Sequence, residues 1–567
     1  MKTSVQKVAI ALDQNQVDFF LKNHPLSENQ RNLFLDISCG SVTIHDRLYC
    51  AGLEKIFIEN RLLFDRSNFI KSYVALLGKL GVKNNTREWW ATTVASKSRF
   101  ASNLDELLVQ YIKCATAIRN ERYDVLLIIS TEPNLRYPLR RLIEQEGQMV
   151  LTLRNYPKIF TSTCLLHLAR QARLIKLRVK SYLSLVHGVI KQSLVLAKQV
   201  SYTKREFPAS VIEDLDKDRK YTVVKTHVHE SSFDEFNQFK DIYFGRLPQF
   251  LAQEKNVLSL AHIHGDHEEI MKKIRNSKNQ ALIPWEYFLT SWDILSTVLK
   301  FLFWRIRIES IYFDGFDVSH VIREEIKRTR FALNQTCDQY LFYDSVKHFV
   351  KAFKVEKFIY TYENISWERM AILALRKFSS ETRIVGYQHS TVPQAETGVF
   401  ANKDEISVGP LPDKILTVGE ITSNIINKYS DFSNGLVEPS CALRYEYLFN
   451  YKSKERTRSN NILLVLEGQP AVLKMVNYVL GQLWESDSYY LTIRAHPILP
   501  FNWIRNRIDY KIEKSSRISA SENDSVFDDL INSDIVIYWG STVALEALSL
   551  GIPLIRYRMG NLLSYDP

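Results

Sequence analysis

The sequence predicts an α/β protein with two doubly wound, Rossmann-like parallel-sheet domains facing across a cleft. Short apolar runs bounded by Gly, Pro or polar clusters alternate with stretches of helical spacing, which is the pattern of strand, helix, strand units. The clearest unit is SDIVIYWGSTVALEALSLGIPLIRY, Ser533 to Tyr557. With 567 residues the chain is also too long for one core, and ~100–200 residues per domain gives two or three domains.

Composition narrows the partners. An apolar content of 46% and an aromatic content of 12% are globular values. A net charge of +11 points to anionic partners: nucleic acid, anionic lipid head groups or a phosphate-bearing substrate. Six widely spread cysteines without a CxxC pair give neither a disulfide framework nor a zinc site, and suit a reducing compartment. The amino-terminal apolar run is only Val8 to Leu12, too short for a signal peptide, and no run approaches the ~18 apolar residues of a membrane span. The expected location is cytoplasmic.

In chain order, Val8 to Leu12 and Tyr123 to Ser130 read as strands, with helical spacing from Leu104 to Ile118. Between the strands, REWWATTVASKS, with Trp89, Trp90, Thr92 and Lys97, reads as a domain brace before a site. From Val150 to Arg205 there is no Asp or Glu, while Arg154, Lys158, Arg170, Arg173, Lys176, Arg178, Lys180, Lys191, Lys198, Lys204 and Arg205 alternate with aliphatic residues. At helical spacing this is a basic amphipathic surface, drawn to anionic lipid at ~1 kcal/mol per basic residue. Nucleic acid competes as partner and ranks lower, because no nucleic-acid motif accompanies the charge; a solvated helical pair is the third reading. Trp292 to Ile308 mixes Phe, Trp and Leu with Lys and Arg, and could share that lipid interface.

Two HxH pairs, His227/His229 and His262/His264, raise a metal, but no carboxylate or cysteine joins them at ligand spacing, so no metal is expected. The DLDKD run, Asp214 to Asp218, lacks a preceding strand and reads as a solvated turn. Phe358 to Tyr362, Arg383 to Tyr387 and Asp413 to Val418 are then strands, with Glu363 and His389 following the first two on one rim. A carboxylate and an imidazole there can act as general base and as acid or phosphate partner; a helix cap and a satisfied histidine are the alternatives. Residues 421–460, rich in Ser, Asn and charge, read as a linker. A second doubly wound unit starts at Asn461. Its strand ends present Glu467 and Gly468, His496 and Pro497, and Gly540, Ser541 and Thr542 to one crevice. The last group opens a helix whose backbone N–H groups, hydroxyls and dipole suit a phosphate, unless it is only a capped helix start.

The ordered trio LEG, RAHP and GST resembles the acidic-Gly, HP and Ser/Thr motifs of bacterial GT-B sialyltransferases, and the HP and SS motifs of Kdo transferases and CDP-glycerol polymerases. TYENISWER followed by GYQHSTVP, with EWWATTVASKS and DIYFGRLP upstream, resembles bacterial surface-carbohydrate proteins of O-antigen and capsule clusters. The resemblance implies a GT-B enzyme that needs neither metal nor cofactor. Residues 1–420 would be the acceptor-side domain, with a helical, membrane-associating insertion at about 150–310, and 461–567 the nucleotide-sugar domain. His496 would contact the phosphate, Gly540, Ser541 and Thr542 would bind its oxygens, and Glu546 would reach ribose hydroxyls. Glu363 is the first choice for general base and Glu467 the second, with His389 assisting.

The leading expectation is transfer from a CMP-activated ulosonate, of the sialic acid or Kdo type, to a lipid-linked oligosaccharide at the anionic inner membrane face. A UDP-sugar or CDP-polyol donor is the alternative within the fold. A noncatalytic membrane-surface scaffold is the alternative outside it. GT-B domains normally add helices after the last strand, so a chain ending at Pro567 is expected to be truncated there.

Overall fold

The first predicted strand is β1 (Lys7–Ala11), and it pairs in parallel with β4 (Val125–Ile129), which lies within the second. The structure, a computed structural model, describes residues 6–27, 29–37, 42–58, 63, 65–98, 102–130, 132–151, 153, 163–277, 280–303, 306, 308–331, 336–450, 460–523, 525–559 and 562–567. The chain divides into two units, the first comprising residues 1–97, 101–194 and 298–337. In it β2 (Asn32–Asp36), β3 (Glu54–Lys55) and β5 (Met149–Leu151) complete a parallel sheet of order β3-β2-β4-β1-β5. Ala9, Phe20, Phe34 and Leu127 are fully buried against it. The Trp89 and Trp90 indoles are core there as well, and a Cβ on Gly81 would stand 2.8 Å from the Trp90 ring.

The second unit carries two doubly wound sheets. β6 (Lys220–Val228), β7 (Val257–Ile263) and β8 (Leu282–Pro284) come first. After an antiparallel hairpin in the first unit, β9 (Tyr312–Phe313) and β10 (Phe316–Asp317), follow β11 (Lys354–Thr361), β12 (Arg383–Gln388), β13 (Lys414–Thr417) and β14 (Val437–Pro439). The order is β14-β13-β12-β11-β6-β7-β8, parallel throughout. The last sheet holds β15 (Asn461–Val465), β16 (Tyr490–Arg494), β17 (Ile518–Ala520), β18 (Ile535–Tyr538) and β19 (Leu554–Arg556), in the order β17-β16-β15-β18-β19. In each the winding reverses once, between β6 and β11 and between β15 and β18, where doubly wound sheets bind their ligands. The fold class read from the sequence is therefore the fold of this unit.

The expected partition differs from this in three places. Among the described residues, 1–420 carry the five-stranded sheet, the β9–β10 hairpin and all but β14 of the seven-stranded sheet, because β1, β2 and β4 pair among themselves and none pairs with β6 to β14. The stretch 150–310, expected as a helical insertion, does hold the 44-residue helix Thr163–Glu206, but it also supplies β6, β7 and β8. The basic residues expected between 154 and 182 lie outside the described side chains. The expected linker contains the helix Glu420–Tyr429, β14 and a 3-10 segment, Leu443–Asn450; its residues 451–459 lie outside the described set.

Candidate active site

Strand register sets the height of every candidate. Thr361 pairs with Tyr387, so Glu363 and His389, each two residues on, leave the sheet at one level, with His389 Nε2 3.6 Å from Glu363 Oε1. In the last sheet Val465 pairs with Arg494 and Leu464 with Ile537, which levels Glu467 with His496 and with Gly540. The sequence grouped these residues by strand end, and the register brings each group together.

A buried polar network holds Glu363 in place. Asn364 follows at φ 59°, a left-handed conformation that Asn tolerates better than most residues. The Glu368 carboxylate accepts the backbone N–H groups of Glu363 (2.9 Å) and Asn364 (2.7 Å). Arg369 donates to the Asn364 carbonyl (3.0 Å) and pairs with Glu405 at 2.8 Å, both side chains at most 2% exposed. The YENISWER motif thus fixes the turn beyond β11. In the GYQHS motif, a Cβ at Gly386 would come within 2.9 Å of the Tyr362 Cβ, so only glycine lets the two strands pack there. Glu363 is walled by protein on most sides while 44% of its side chain stays open to water, as in a deep crevice. Burial raises its proton affinity above that of an ordinary glutamate, and the charges of Lys225 and Arg444 pull it back. Burial, with Arg444 beside it, pushes His389 down to about 3, so it is a neutral imidazole at working pH, and its buried Nδ1 has no hydrogen-bond partner among the described residues.

Arg444 is the residue that sequence reasoning missed. It lies in the 3-10 segment Leu443–Asn450, which two further motifs clamp. The Tyr387 hydroxyl donates to the Cys441 carbonyl (2.9 Å) and accepts the Leu443 N–H (3.0 Å). In DIYFGRLP, Arg246 pairs with Glu446, and Gly245, at φ 55°, packs on the Leu443 carbonyl. The segment presents Arg444 between the rings of Tyr243 (5.9 Å) and Tyr445 (5.8 Å). No carboxylate pairs with it among the described residues. Its charge is felt by Glu363 and His389 on one side and by His496 and Glu546 on the other. The Tyr445 hydroxyl stands near those of Ser390 and Thr542 and bonds squarely to neither. The available signal was LRYEY, an arginine set among tyrosines in an otherwise polar stretch.

The carboxy-terminal candidates fall into two groups. His496, Ser541 and Thr542 are partly open, and a Cβ on Gly468 would meet the His496 Nδ1 at 2.9 Å, so that glycine admits the imidazole. Pro497 is exposed just past it. Gly540 is covered by Tyr565, which also packs on Trp539 at 4.6 Å. Glu546 is 3% exposed and accepts the Tyr447 hydroxyl, so its carboxylate is already engaged where a ribose contact was expected. The helix Val543–Ser549 spans only seven residues, and most of the pull on an anion falls to Arg444.

Glu467, 8% exposed, holds the strand end by accepting the Gly540 N–H at 2.6 Å. Burial raises it to about 7, against neighbouring backbone N–H groups that lower it. The folded chain therefore binds this proton more tightly than the unfolded chain. The stability it contributes is complete below the unfolded value near 4.5 and is lost as pH rises through about 7, a difference of about 3 kcal/mol. Glu467→Gln keeps the acceptor oxygen and removes the charge. It is expected to raise the melting temperature at pH 8 and leave it nearly unchanged at pH 4.5, in paired thermal melts.

No protein-family model matches the sequence, and no curated protein matches it. Solved structures that resemble it include a UDP-N-acetylglucosamine 2-epimerase from Rickettsia bellii (10% identity, 60% of this chain and 80% of that one, TM-score 0.39). Another is the UDP-GlcNAc 2-epimerase from Neisseria meningitidis bound to UDP-GlcNAc (10%, 60% and 84%, 0.34). A third is Acinetobacter baumannii MurG (10%, 60% and 79%, 0.29). At these scores the likeness is too weak to build on, and the functional reading rests on the site.

Proposed function

We propose that the second unit is a glycosyltransferase of the GT-B type that moves a sugar from a nucleotide donor to an acceptor hydroxyl, without a metal or other cofactor. The observation that carries the reading is Arg444, an arginine without a carboxylate partner among the described residues, set between a carboxylate in an open crevice and the Ser541, Thr542 and His496 strand ends. Glu363 takes the proton of the acceptor hydroxyl as its oxygen attacks the anomeric carbon. The bond from that carbon to the donor phosphate breaks, and the electron pair leaves on the phosphate. Arg444 and the Ser541 and Thr542 hydroxyls stabilise the charge that develops there. One guanidinium beside a neutral imidazole suits the single charge on the phosphate linkage of a CMP-activated ulosonate, against the two on a diphosphate bridge; the ulosonate's own carboxylate is a separate charge.

The acceptor in this reading is a lipid-linked glycan of bacterial surface polysaccharide synthesis, O-antigen or capsule, met at the cytoplasmic face of the inner membrane. Leu183, Ile190 and Leu194 stand exposed along one helix in a stretch without a single acidic residue, which suits an anionic bilayer surface. Among the described residues no helix is long and apolar enough to cross a membrane.

Thermal shift with CMP, CDP and UDP tests the donor side. CMP is expected to raise the melting temperature most. Arg444→Gln is expected to weaken CMP by about 10- to 100-fold, the worth of a charged hydrogen bond of about 1.5–3 kcal/mol. Equal stabilisation of both chains by CMP would remove Arg444 from the phosphate, and a larger shift with UDP or CDP would move the donor to a diphosphate.

A further inference from the structure

Five nitrogen bases crowd the carboxyl ends of β6 and β7, and the transfer chemistry above uses none of them. His227 pairs with His262 across the two strands, and His229 and His264 continue the same face. Lys225, fully buried, contacts the His227 Nε2 at 2.6 Å, and the His227 Nδ1 contacts the His264 Nε2 at 2.7 Å. The rings stack: His262 on His264 at 4.7 Å and 9°, His229 on His264 at 4.9 Å and 15°. Imidazole lone pairs lie in the ring planes, so stacked rings do not converge on one metal ion, and no metal-binding group is found among the described residues.

What the cluster lacks is acid. Among the described residues no carboxylate lies within ion-pair distance of Lys225 or of the four imidazoles. Lys225 instead rests 3.7 Å from the centre of the Trp367 ring. Asp241, Glu363 and Glu368 act on it only at longer range, and Asp241 is already bonded to Thr226 and to the N–H groups of Tyr243 and Phe244. Tyr243 faces His227 and Trp285 faces His262, while Glu230 lies by Gly265 at the outer edge. The His262 Nδ1 is buried without a hydrogen-bond partner among the described residues. Burial depresses proton binding by Lys225 and, together with repulsion from Lys225 and the neighbouring rings, by His227, His262 and His264, so at neutral pH these imidazoles are unprotonated. An oxyanion entering it supplies the counter-charge that lets protons follow.

The cluster sits beside the switch point of the seven-stranded sheet, and the Tyr243 ring lies between it and the reacting pair, 5.5 Å from the His227 ring and 4.6 Å from that of His389. We propose that the Lys225, His227, His262 and His264 cluster is an oxyanion site for a phosphate carried by the acceptor, which binds together with protons. The site stands on its own geometry; only its assignment to the acceptor rests on the transferase reading.

Sulfate is the probe, since it mimics a phosphate ester and does not titrate between pH 5 and 8. Calorimetric titration of the full-length Arg444→Gln chain, in buffers of different ionisation enthalpy, reads sulfate affinity and proton uptake away from the donor site. The expected result is uptake of about one proton per sulfate near pH 6.5, with affinity rising up to tenfold per unit as pH falls. His264→Gln and, separately, His229→Gln are expected to reduce both. Should Arg444→Gln fail to fold by circular dichroism, the wild-type chain saturated with CMP replaces it. No sulfate binding, binding without proton uptake, or uptake that survives both histidine changes would overturn the proposal. No CMP binding by the wild-type chain, with sulfate uptake intact, would count against the donor reading alone.

Discussion

Glu363→Gln is expected to lower turnover by about 10²- to 10⁴-fold, the range of a general base, while leaving nucleotide affinity within a factor of two. The two effects separate because the carboxylate stands at the end of β11 in one sheet, whereas the phosphate contacts proposed above are Arg444 and the ends of β16 and β18. The amide is close in shape, and the bonds that fix this turn are made by the Glu363 backbone N–H and by Glu368, not by the Glu363 carboxylate. Folding should therefore survive. The pH profile adds a second readout. Burial raises the proton affinity of Glu363, so kcat/KM should fall, as pH drops, at a pH above that of an ordinary glutamate. His389, held down to about 3, is already neutral across that range and contributes no limb. Glu467, up at about 7, is the competing source of an acid limb. A Glu467→Gln chain that keeps the limb assigns it to Glu363. Unchanged turnover in Glu363→Gln would end its role as base.

The legible part of this site is the part written in strand ends. Apolar runs ending in Glu363, His389, Glu467, His496 and Ser541 are local patterns, and in a parallel sheet their ends share one rim. Register then does what spacing alone could not, levelling Glu363 with His389 and Glu467 with His496. Arg444 was hidden for the complementary reason. Its position depends on contacts distant in sequence, from Tyr387 and Gly245, and its own stretch has the composition of a loop. The histidine pairs were visible as HxH, but β6 and β7 did not read as the centre of a sheet, so the crowding of five bases had no place to occur. Glu546 shows the opposite failure. Its position on the helix was read correctly, yet nothing in the sequence revealed that Tyr447 would claim its carboxylate.

Removing one member of the Arg369–Glu405 pair is expected to cost about 3–5 kcal/mol, because both side chains are at most 2% exposed and the partner left behind is an uncompensated buried charge. Glu405→Gln leaves Arg369 in that state. Arg369→Met leaves Glu405. The double change Arg369→Met/Glu405→Leu leaves neither charge, and should recover most of the loss, since a buried ion pair repays little beyond its own desolvation. Hydrogen exchange of the β11 and β12 amides measures the result locally, which avoids treating a chain of two units as a single unfolding transition. Stability and activity should then part company. Arg369 also holds the Asn364 carbonyl, and Asn364 keeps Glu363 at its left-handed turn, so the double variant should regain stability while its turnover stays low. Full recovery of turnover alongside stability would mean that the network holds the fold and has no part in aiming Glu363 into the crevice.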